Sequence, residues 1–280
     1  MKPPVRNFSE SRFQSALRYR NTFEQYGSKK IEDAVCFEFG VGREMFISLC
    51  MGAWGFHKIY AVDIRPEIRP NLMNPAAKRV QEKIGYPTGN LPIFDHKNCR
   101  QLLSERYHIK YNAPADARKT GLPDNSVDYV YANAVLEHIP WLTLHEILKE
   151  CYRVLTPNGI AAFDVSYWDH TWDGKSISPY HFLQFSEKQW KKYTHCDGGH
   201  NRKPHTEYKK LFNGSGFSIL SETKISPFDT NYPVLQKAIG FPSSEQLIKA
   251  LHSIPLAEQF RDYTLDELSV LCGFWVLKKH

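Results

Sequence analysis

AVCFEFGVG, residues 34–42, is a short apolar run that ends in two glycines one residue apart. The run from Ala34 to Phe39 predicts a buried strand, and the pattern from Met45 to Trp54 predicts an apolar helix soon after the glycine turn. A glycine at such a turn lets a ligand approach the backbone, and the helix that follows presents free N–H groups at its start. Strand, glycine turn and helix in this order predict the first unit of an α/β domain.

The same alternation continues along the chain. Apolar runs of strand length recur at residues 58–64, 108–112, 127–133, 160–165, 217–225 and 271–278. Helical patterns cover about 74–83 and 141–155, a turn is predicted at 157–159, and the polar segment that ends near residue 107 has no regular pattern. These elements predict a doubly wound, mostly parallel seven-stranded sheet with helices on both faces.

Two acids follow neighbouring strands of the predicted sheet. Asp63 stands at the end of the second strand, and Asp116 comes just after the third. An acid about twenty residues beyond a glycine turn can accept hydrogen bonds from both hydroxyls of a ribose. Because the carboxyl ends of parallel strands share one edge of the sheet, the turn and both acids point to a nucleoside site.

An ordered set of motifs resembles that of class I S-adenosylmethionine-dependent methyltransferases of the type 11-like family, which have a Rossmann-like fold. The resemblance covers roughly residues 33–165 and rests on Glu38-Phe39-Gly40-Val41-Gly42, Ala61-Val62-Asp63-Ile64, Asp116-Ala117, Asn133-Ala134-Val135-Leu136-Glu137-His138-Ile139 and Tyr152-Arg153-Val154-Leu155. It implies S-adenosyl-L-methionine as cofactor. It also implies cofactor-binding roles for Glu38, Gly40 and Gly42 (methionine part), Asp63 (ribose), Asp116 (adenine amino group), Ile64 and Ala117 (either side of the adenine), and Asn133 (near the methionine part).

One position departs from the family pattern. Glu44 follows Arg43 where a third glycine is usual, as in a recurring variant subgroup. A dinucleotide-binding dehydrogenase would need that third glycine for close helix packing, so the departure counts more against a dehydrogenase than against a methyltransferase. The remaining alternative is a tight βα turn accompanied by exposed loop acids that bind nothing.

Histidines and aromatic residues provide the candidates for acceptor chemistry. His138 is the first candidate for a catalytic base and His181, with His170, comes second, because imidazole titrates near neutral pH. A histidine hydrogen-bonded to backbone in a turn is the competing interpretation for His138. We expect acceptor contacts from an aromatic segment after the fifth strand, at Tyr167, Trp168, Trp172, Tyr180 and Phe182, although these residues could instead fill a satellite core.

Composition and spacing argue against metal and nucleic-acid sites. His195, Cys196, His200 and His205 are the one grouping that suggests zinc, but its spacing matches no compact finger, so we predict no metal. The net charge of +6 is modest, and the basic pairs Lys191-Lys192, Arg202-Lys203 and Lys209-Lys210 are more typical of a solvated face than of an RNA-binding surface.

Taken together, the sequence predicts a cytoplasmic methyltransferase. Residues 1–30 are expected to form a helical lid or brace, and residues 31–280 the methyltransferase domain, with substrate-side inserts at about 166–210 and 228–269. The expected reaction is O-methylation of a small-molecule or glycan hydroxyl. An RNA-modifying methyltransferase and a non-catalytic interaction protein with a cofactor fold are the alternatives. The six scattered cysteines are expected to be reduced, and no apolar stretch is long enough for a transmembrane segment.

Overall fold

The computed structural model describes residues 8–172, 178–193, 200–230, 232–233, 236 and 240–280. The chain divides into two compact units. Unit 1 comprises Met1–Asn133, Glu146–Ala162 and Val276–His280, and unit 2 comprises Ala134–His145 and Phe163–Trp275.

Unit 1 contains the predicted alternation of strands and helices. Its strands are β1 (Val35–Phe39), β2 (Lys58–Val62), β3 (Ile109–Asn112) and β4 (Val127–Asn133). Its helices are α1 (Phe8–Tyr26), α2 (Phe46–Ala53), α3 (Pro70–Ile84) and α4 (Cys99–Tyr107), and most of α5 (Trp141–Val154) also belongs to it.

The first four strands are parallel and end at the same edge. Phe39 of β1 lies beside Val62 of β2, which lies beside Asn112 of β3. On the other side of β1, Glu38 lies beside Tyr131 of β4. The residues that follow these strands therefore meet beyond their carboxyl ends, where ligands of open α/β sheets bind.

The remaining elements complete a mixed sheet. They are β5 (Leu155–Ser166), α6 (Glu187–Tyr193), α7 (His205–Gly214), β6 (Ser218–Ile225), α8 (Ser244–Ser253), α9 (Leu265–Ser269) and β7 (Cys272–Lys278). The seven strands are ordered β3-β2-β1-β4-β5-β7-β6. Tyr167 bonds to Leu271 next to one end of the β5–β7 pair, and Lys279 bonds to Gly159 near the other, so β7 runs antiparallel to β5. The sheet is thus mixed rather than purely parallel.

Each unit has its own aromatic core. In unit 1, the Tyr19 hydroxyl of α1 donates to the carbonyl oxygen of Ala132 at 2.8 Å, and the Tyr129 hydroxyl donates to the carbonyl oxygen of Tyr19 at 3.0 Å. In unit 2, the buried cluster includes Tyr180, Phe182, Leu183, Trp190, Tyr232 and Leu271. Within the described part of the chain, no helix has both the length and the apolar character that a bilayer crossing requires.

Three local predictions differ from the structure. The segment predicted to be irregular contains α4, which buries Cys99, Leu103 and Tyr107 along one stripe. Strand β5 starts at Leu155, so the turn predicted at 157–159 lies within the strand, where Asn158 has a φ of 66°. Helix α3 starts at Pro70 rather than near residue 74, because proline fits the first turn of a helix.

Candidate functional site

The glycine turn after β1 uses backbone conformations that favour glycine. Gly40 has a φ of 71° and Gly42 a φ of 69°. The Gly40 N–H donates to the carbonyl oxygen of Val62 at 2.9 Å, which ties the turn to the end of β2. The turn is therefore held at the sheet edge by a backbone bond that does not depend on any side chain.

Glu38 lies buried at the end of β1, just before this turn. Its carboxyl group accepts a hydrogen bond from the Ser48 hydroxyl of α2. Burial raises the pKa of Glu38 to about 7, and the Ser48 hydrogen bond only partly opposes that rise. Near neutral pH this group can thus exist in both protonation states, and it joins strand β1 to the helix after the turn.

Asp63 stands directly after β2 and is half-buried. The backbone N–H of Arg65 donates to its carboxylate at 3.2 Å. Desolvation raises the pKa of Asp63, while the N–H groups of Arg65 and Gly42 oppose that rise. The predicted ribose acid and the second glycine of the turn therefore lie close together.

The loop after β3 is joined to the same edge. The Ala115 N–H donates to the carbonyl oxygen of Asp63 at 2.8 Å. Asp116 is paired with Arg118 at 2.7 Å, and this guanidinium holds the pKa of Asp116 below its usual value. Arg118 also contacts Glu146 at 2.9 Å. Because Asp116 is already paired with Arg118, an adenine amino group would have to share the carboxylate with that guanidinium.

Two further features at this edge are suited to a nucleoside. Ile64 is a large apolar side chain that is 65% exposed, whereas Ala117 is buried. The Oδ1 atom of Asn133, at the end of β4, is buried and has no hydrogen-bond partner among the described residues. A buried amide oxygen without a partner is costly, so Asn133 is suited to a ligand that donates a hydrogen bond. The residues present therefore fit a bound adenosyl group with an amino-acid end.

In unit 2, a tight turn carries Glu137 and His138. The turn is a 3₁₀ helix over Leu136–His138. Asn201 stabilises it, since its side-chain nitrogen donates to the carbonyl oxygens of Leu136 at 2.9 Å and Ile139 at 3.1 Å. The Asn201 N–H also donates to the carbonyl oxygen of Glu137 at 2.7 Å. Sequence reasoning missed Asn201, because no local pattern links it to residue 137.

Two more histidines lie next to this turn. The ring centroids of His138 and His170 are 4.8 Å apart, and those of His170 and His200 are 5.3 Å apart. Desolvation by the surrounding side chains, with His138 beside it, lowers the pKa of His170 to about 4 although the residue reaches the surface, and burial lowers the pKa of His200 to about 3. Both rings are therefore neutral at physiological pH.

Comparisons with known proteins agree with the geometry of unit 1. Residues 37–163 match the family model described as a methyltransferase domain. This part of the chain is a class I methyltransferase domain. The family uses S-adenosyl-L-methionine, which is therefore the cofactor of this domain. No curated protein sequence matches the chain.

Solved structures of varied function share the fold. A [4+2]-cyclase, SpnF, is 14% identical with a TM-score of 0.51, over 95% of this chain and 80% of that one. Geranyl diphosphate C-methyltransferase from Streptomyces coelicolor is 13% identical with a TM-score of 0.53, over 96% and 80%. Phosphoethanolamine N-methyltransferase 2 from Haemonchus contortus, bound to S-adenosyl-L-methionine, is 15% identical with a TM-score of 0.53, over 95% and 52%. At these identities the likeness concerns the fold alone.

Several of the residues predicted to contact the acceptor lie instead in the core of unit 2. Tyr167, Tyr180 and Phe182 are buried. The Tyr167 hydroxyl accepts a bond from the Trp275 indole at 3.0 Å, and the Tyr180 hydroxyl donates to the Ser269 carbonyl oxygen at 2.9 Å. For these three residues the satellite-core alternative holds, because their side chains are already enclosed by protein.

Among the predicted acceptor contacts, Trp168 and Trp172 remain partly exposed. His181, a candidate for the catalytic base, is also partly exposed. The two indole rings meet edge to face at 5.8 Å. His181 lies beside the buried Asp169, with 3.5 Å between Nδ1 and Oδ2, and its ring packs on Phe185 at 5.0 Å. His181 thus has different neighbours from His138 and His170, which pack on each other.

Three of the six residues in the basic pairs contact acids. Arg202 is buried and bonds Glu187, while Lys209 contacts Glu222 at 2.7 Å. Lys210 contacts Glu207 at 2.7 Å. Charges neutralised in this way offer little attraction to a phosphate backbone, which weakens the RNA-modifying alternative.

The predicted zinc grouping is only partly described. His195 and Cys196 lie outside the described residues. Both ring nitrogens of His200 are engaged, with the Ser166 carbonyl oxygen at 2.8 Å and the Arg202 N–H at 3.0 Å. His205 bonds Tyr167 and Glu222, so its ring nitrogens also have protein partners.

Proposed function

We propose that this methyltransferase transfers a methyl group to a hydroxyl of a small molecule or glycan, with His138 as the base. The observation that carries the proposal is the position of His138 on a turn clamped by Asn201, with the His170 ring centroid 4.8 Å away. A hydroxyl acceptor needs a group that removes its proton, whereas many amine acceptors lose theirs to solvent.

The cofactor roles are assigned to the edge of unit 1. Asp63 would accept both ribose hydroxyls, and the glycine turn with Glu38 would hold the methionine part. Asn133 would accept a hydrogen bond from the cofactor amino group through its unpartnered Oδ1. The adenine would lie between Ile64 and Ala117, with its amino group at Asp116, and cover the exposed Ile64 side chain. When bound, S-adenosyl-L-methionine supplies a methyl group already activated on sulfur.

Trp168 and Trp172 are the proposed acceptor contacts. Their rings are partly exposed, and Phe241 packs on Trp172 at 4.9 Å, which fixes the orientation of this indole. Flat apolar faces with polar edges suit a sugar or an aromatic ring. We assign substrate selection to these two residues and to the inserts at about 166–210 and 228–269.

Helix α1 is proposed to act as a brace rather than a moving lid. Its Tyr19 side chain and backbone both hydrogen-bond to β4, at 2.8 and 3.0 Å. Its Phe23 ring also packs on Phe56 at 5.3 Å. Opening such a helix would break buried hydrogen bonds, which costs more than moving a surface segment.

The test uses methyl-labelled cofactor and a cell-extract pool of metabolites and glycans. The wild-type protein should yield a labelled methyl ether that mass spectrometry identifies, and His138→Ala should lower the rate about 100- to 10,000-fold at neutral pH. The matched control is His57→Ala, which removes an exposed imidazole just before β2 and should leave turnover unchanged. Label on nitrogen or carbon, or full turnover by His138→Ala, would contradict the proposal. Absence of any labelled product would favour the non-catalytic alternative.

A further inference from the structure

Glu137, His138 and His170 bring three metal-binding groups together inside unit 2. One carboxylate oxygen and one nitrogen from each imidazole all lie within 4.8 Å of one another. Ligand atoms about 2.1 Å from one tetrahedrally coordinated ion are about 3.4 Å apart. Side-chain rotations that shorten the longest separation by about 1.4 Å would therefore close the set around one ion.

Glu137 supplies an independent indication of a ligand. Its side chain is fully buried, and one carboxylate oxygen accepts a long bond from the Ser166 N–H at 3.3 Å. The other oxygen, Oε2, is buried with no hydrogen-bond partner in the part of the chain that the structure describes. A buried carboxyl oxygen without a partner is costly, and buried carboxyl groups in proteins are normally hydrogen-bonded or bound to a metal ion.

The surroundings hold these groups in place. Asn201 fixes the turn through the carbonyl oxygens of Leu136, Glu137 and Ile139. His200 packs on His170 while both of its own ring nitrogens are engaged, so it is a neighbour rather than a fourth ligand. Outer contacts of this kind orient the ligands of a metal site.

We propose that Glu137, His138 and His170 bind one divalent transition-metal ion. Two imidazoles and one carboxylate suit Zn²⁺, Mn²⁺ or Fe²⁺, whereas Mg²⁺ and Ca²⁺ prefer all-oxygen sites. Three protein ligands leave at least one coordination position open, as in catalytic rather than structural zinc sites. The no-metal prediction concerned the grouping of His195, Cys196, His200 and His205, whereas the 3₁₀ turn brings Glu137 and His138 together elsewhere in unit 2.

Metal binding does not depend on the proposed methyl transfer. It can be measured without cofactor or acceptor, so failure of one proposal leaves the other untouched. The two roles of His138 exclude each other, because the acceptor nitrogen of an imidazole that holds an ion cannot also accept a proton, so the base role applies to the chain without the ion.

The experiment titrates Co²⁺ into the chelator-treated full chain and follows visible absorption, with Zn²⁺ as competitor. We expect one ion per chain, displaced by Zn²⁺. Glu137→Gln and His170→Ala should each weaken binding at least about 100-fold, the upper range for loss of an outer contact alone. Thermal unfolding of the metal-free variants reports whether they fold. If Glu137→Gln does not fold, His170→Ala tests the proposal alone, because the His170 ring reaches the surface and its loss should leave the fold intact.

Two control variants locate the ion. His252→Ala removes an exposed imidazole from α8 and should bind as the wild type does. Cys196→Ser should also bind normally, because Cys196 is not among the proposed ligands. Binding lost in Cys196→Ser, retained in both ligand variants, or absent from the wild type at millimolar Co²⁺ would overturn the proposal.

Discussion

The backbone N–H of Gly40 donates a 2.9 Å hydrogen bond to the carbonyl oxygen of Val62. Because Val62 immediately precedes Asp63, this bond fixes the glycine turn relative to the predicted ribose acid. A second backbone bond, from the Ala115 N–H to the Asp63 carbonyl oxygen at 2.8 Å, adds the loop after β3. Three loops that are distant in sequence are thus joined before any ligand binds, and a preorganised site of this kind loses less free energy to ordering on binding.

Gly42 is predicted to be intolerant of a side chain for conformational rather than steric reasons. A Cβ added at this position would meet no atom within 4 Å, but the backbone φ of +69° at residue 42 is disfavoured for residues other than glycine. Gly42→Ala should lower the free energy of unfolding by about 1–2 kcal/mol in urea titrations and weaken cofactor binding. Gly214→Ala is the control, since this glycine ends α7 with open space and no positive φ, and it should be neutral or slightly stabilising. Equal effects of the two substitutions would refute this explanation.

Glu38 should make stability depend on pH. Its pKa is about 7 in the folded chain against 4.5 for an unperturbed glutamate, so at intermediate pH the folded state holds a proton that the unfolded state has released. Its contribution to stability is therefore complete below about pH 4.5, falls as the pH rises, and is lost above about pH 7. Glu38→Gln should reduce this loss, so that its Tm exceeds that of the wild type by a few degrees at pH 8.

The measurement is thermal unfolding of cofactor-free protein between pH 4.5 and 8. Glu105→Gln, an exposed acid on α4, serves as the control and should follow the wild-type curve. If the wild-type Tm rises over this pH interval and the Tm of Glu38→Gln rises in parallel, burial does not raise the pKa of Glu38.

Asn201 is predicted to position the Glu137 and His138 turn. Asn201→Ala removes side-chain hydrogen bonds of 2.9 and 3.1 Å and leaves two carbonyl oxygens without this donor. We expect a loss of about 1–3 kcal/mol in unfolding free energy, together with unchanged cofactor affinity. Turnover should fall through kcat, and Asn201→Asp should not restore it, because a carboxylate cannot donate to those carbonyls. A fall in cofactor affinity as large as that in kcat would contradict a purely positioning role.

The cofactor edge was predictable from sequence because it depends on local order. A strand, a glycine turn and an acid after the next strand are each short-range signals, and parallel pairing brings them to one edge whatever the loops do. Helix α4 was missed because only Cys99, Leu103 and Tyr107 mark its buried stripe, with polar residues elsewhere. That stripe has a spacing of four residues, so the signal was present but weak.

The unit 2 site was less predictable because it depends on contacts between distant segments. Glu137 and His170 are 33 positions apart, and Asn201 is further still along the chain. No periodicity reports such proximity. Tyr167, Tyr180 and Phe182 illustrate the converse, since aromatic residues in a loop-rich segment serve a core and a binding surface equally well until their burial is known.

Isothermal titration of S-adenosyl-L-methionine into the wild type, Asp63→Ala and Asp63→Asn tests the ribose assignment most directly. The wild type should bind one molecule per chain. Loss of the carboxylate should cost about 1.5–3 kcal/mol, or roughly 10- to 150-fold in Kd, with the fold and the Tm of the cofactor-free protein largely retained. Asp33→Asn, an exposed acid of unit 1, should bind like the wild type. Unchanged affinity in both Asp63 variants would show that this carboxylate does not hold the ribose.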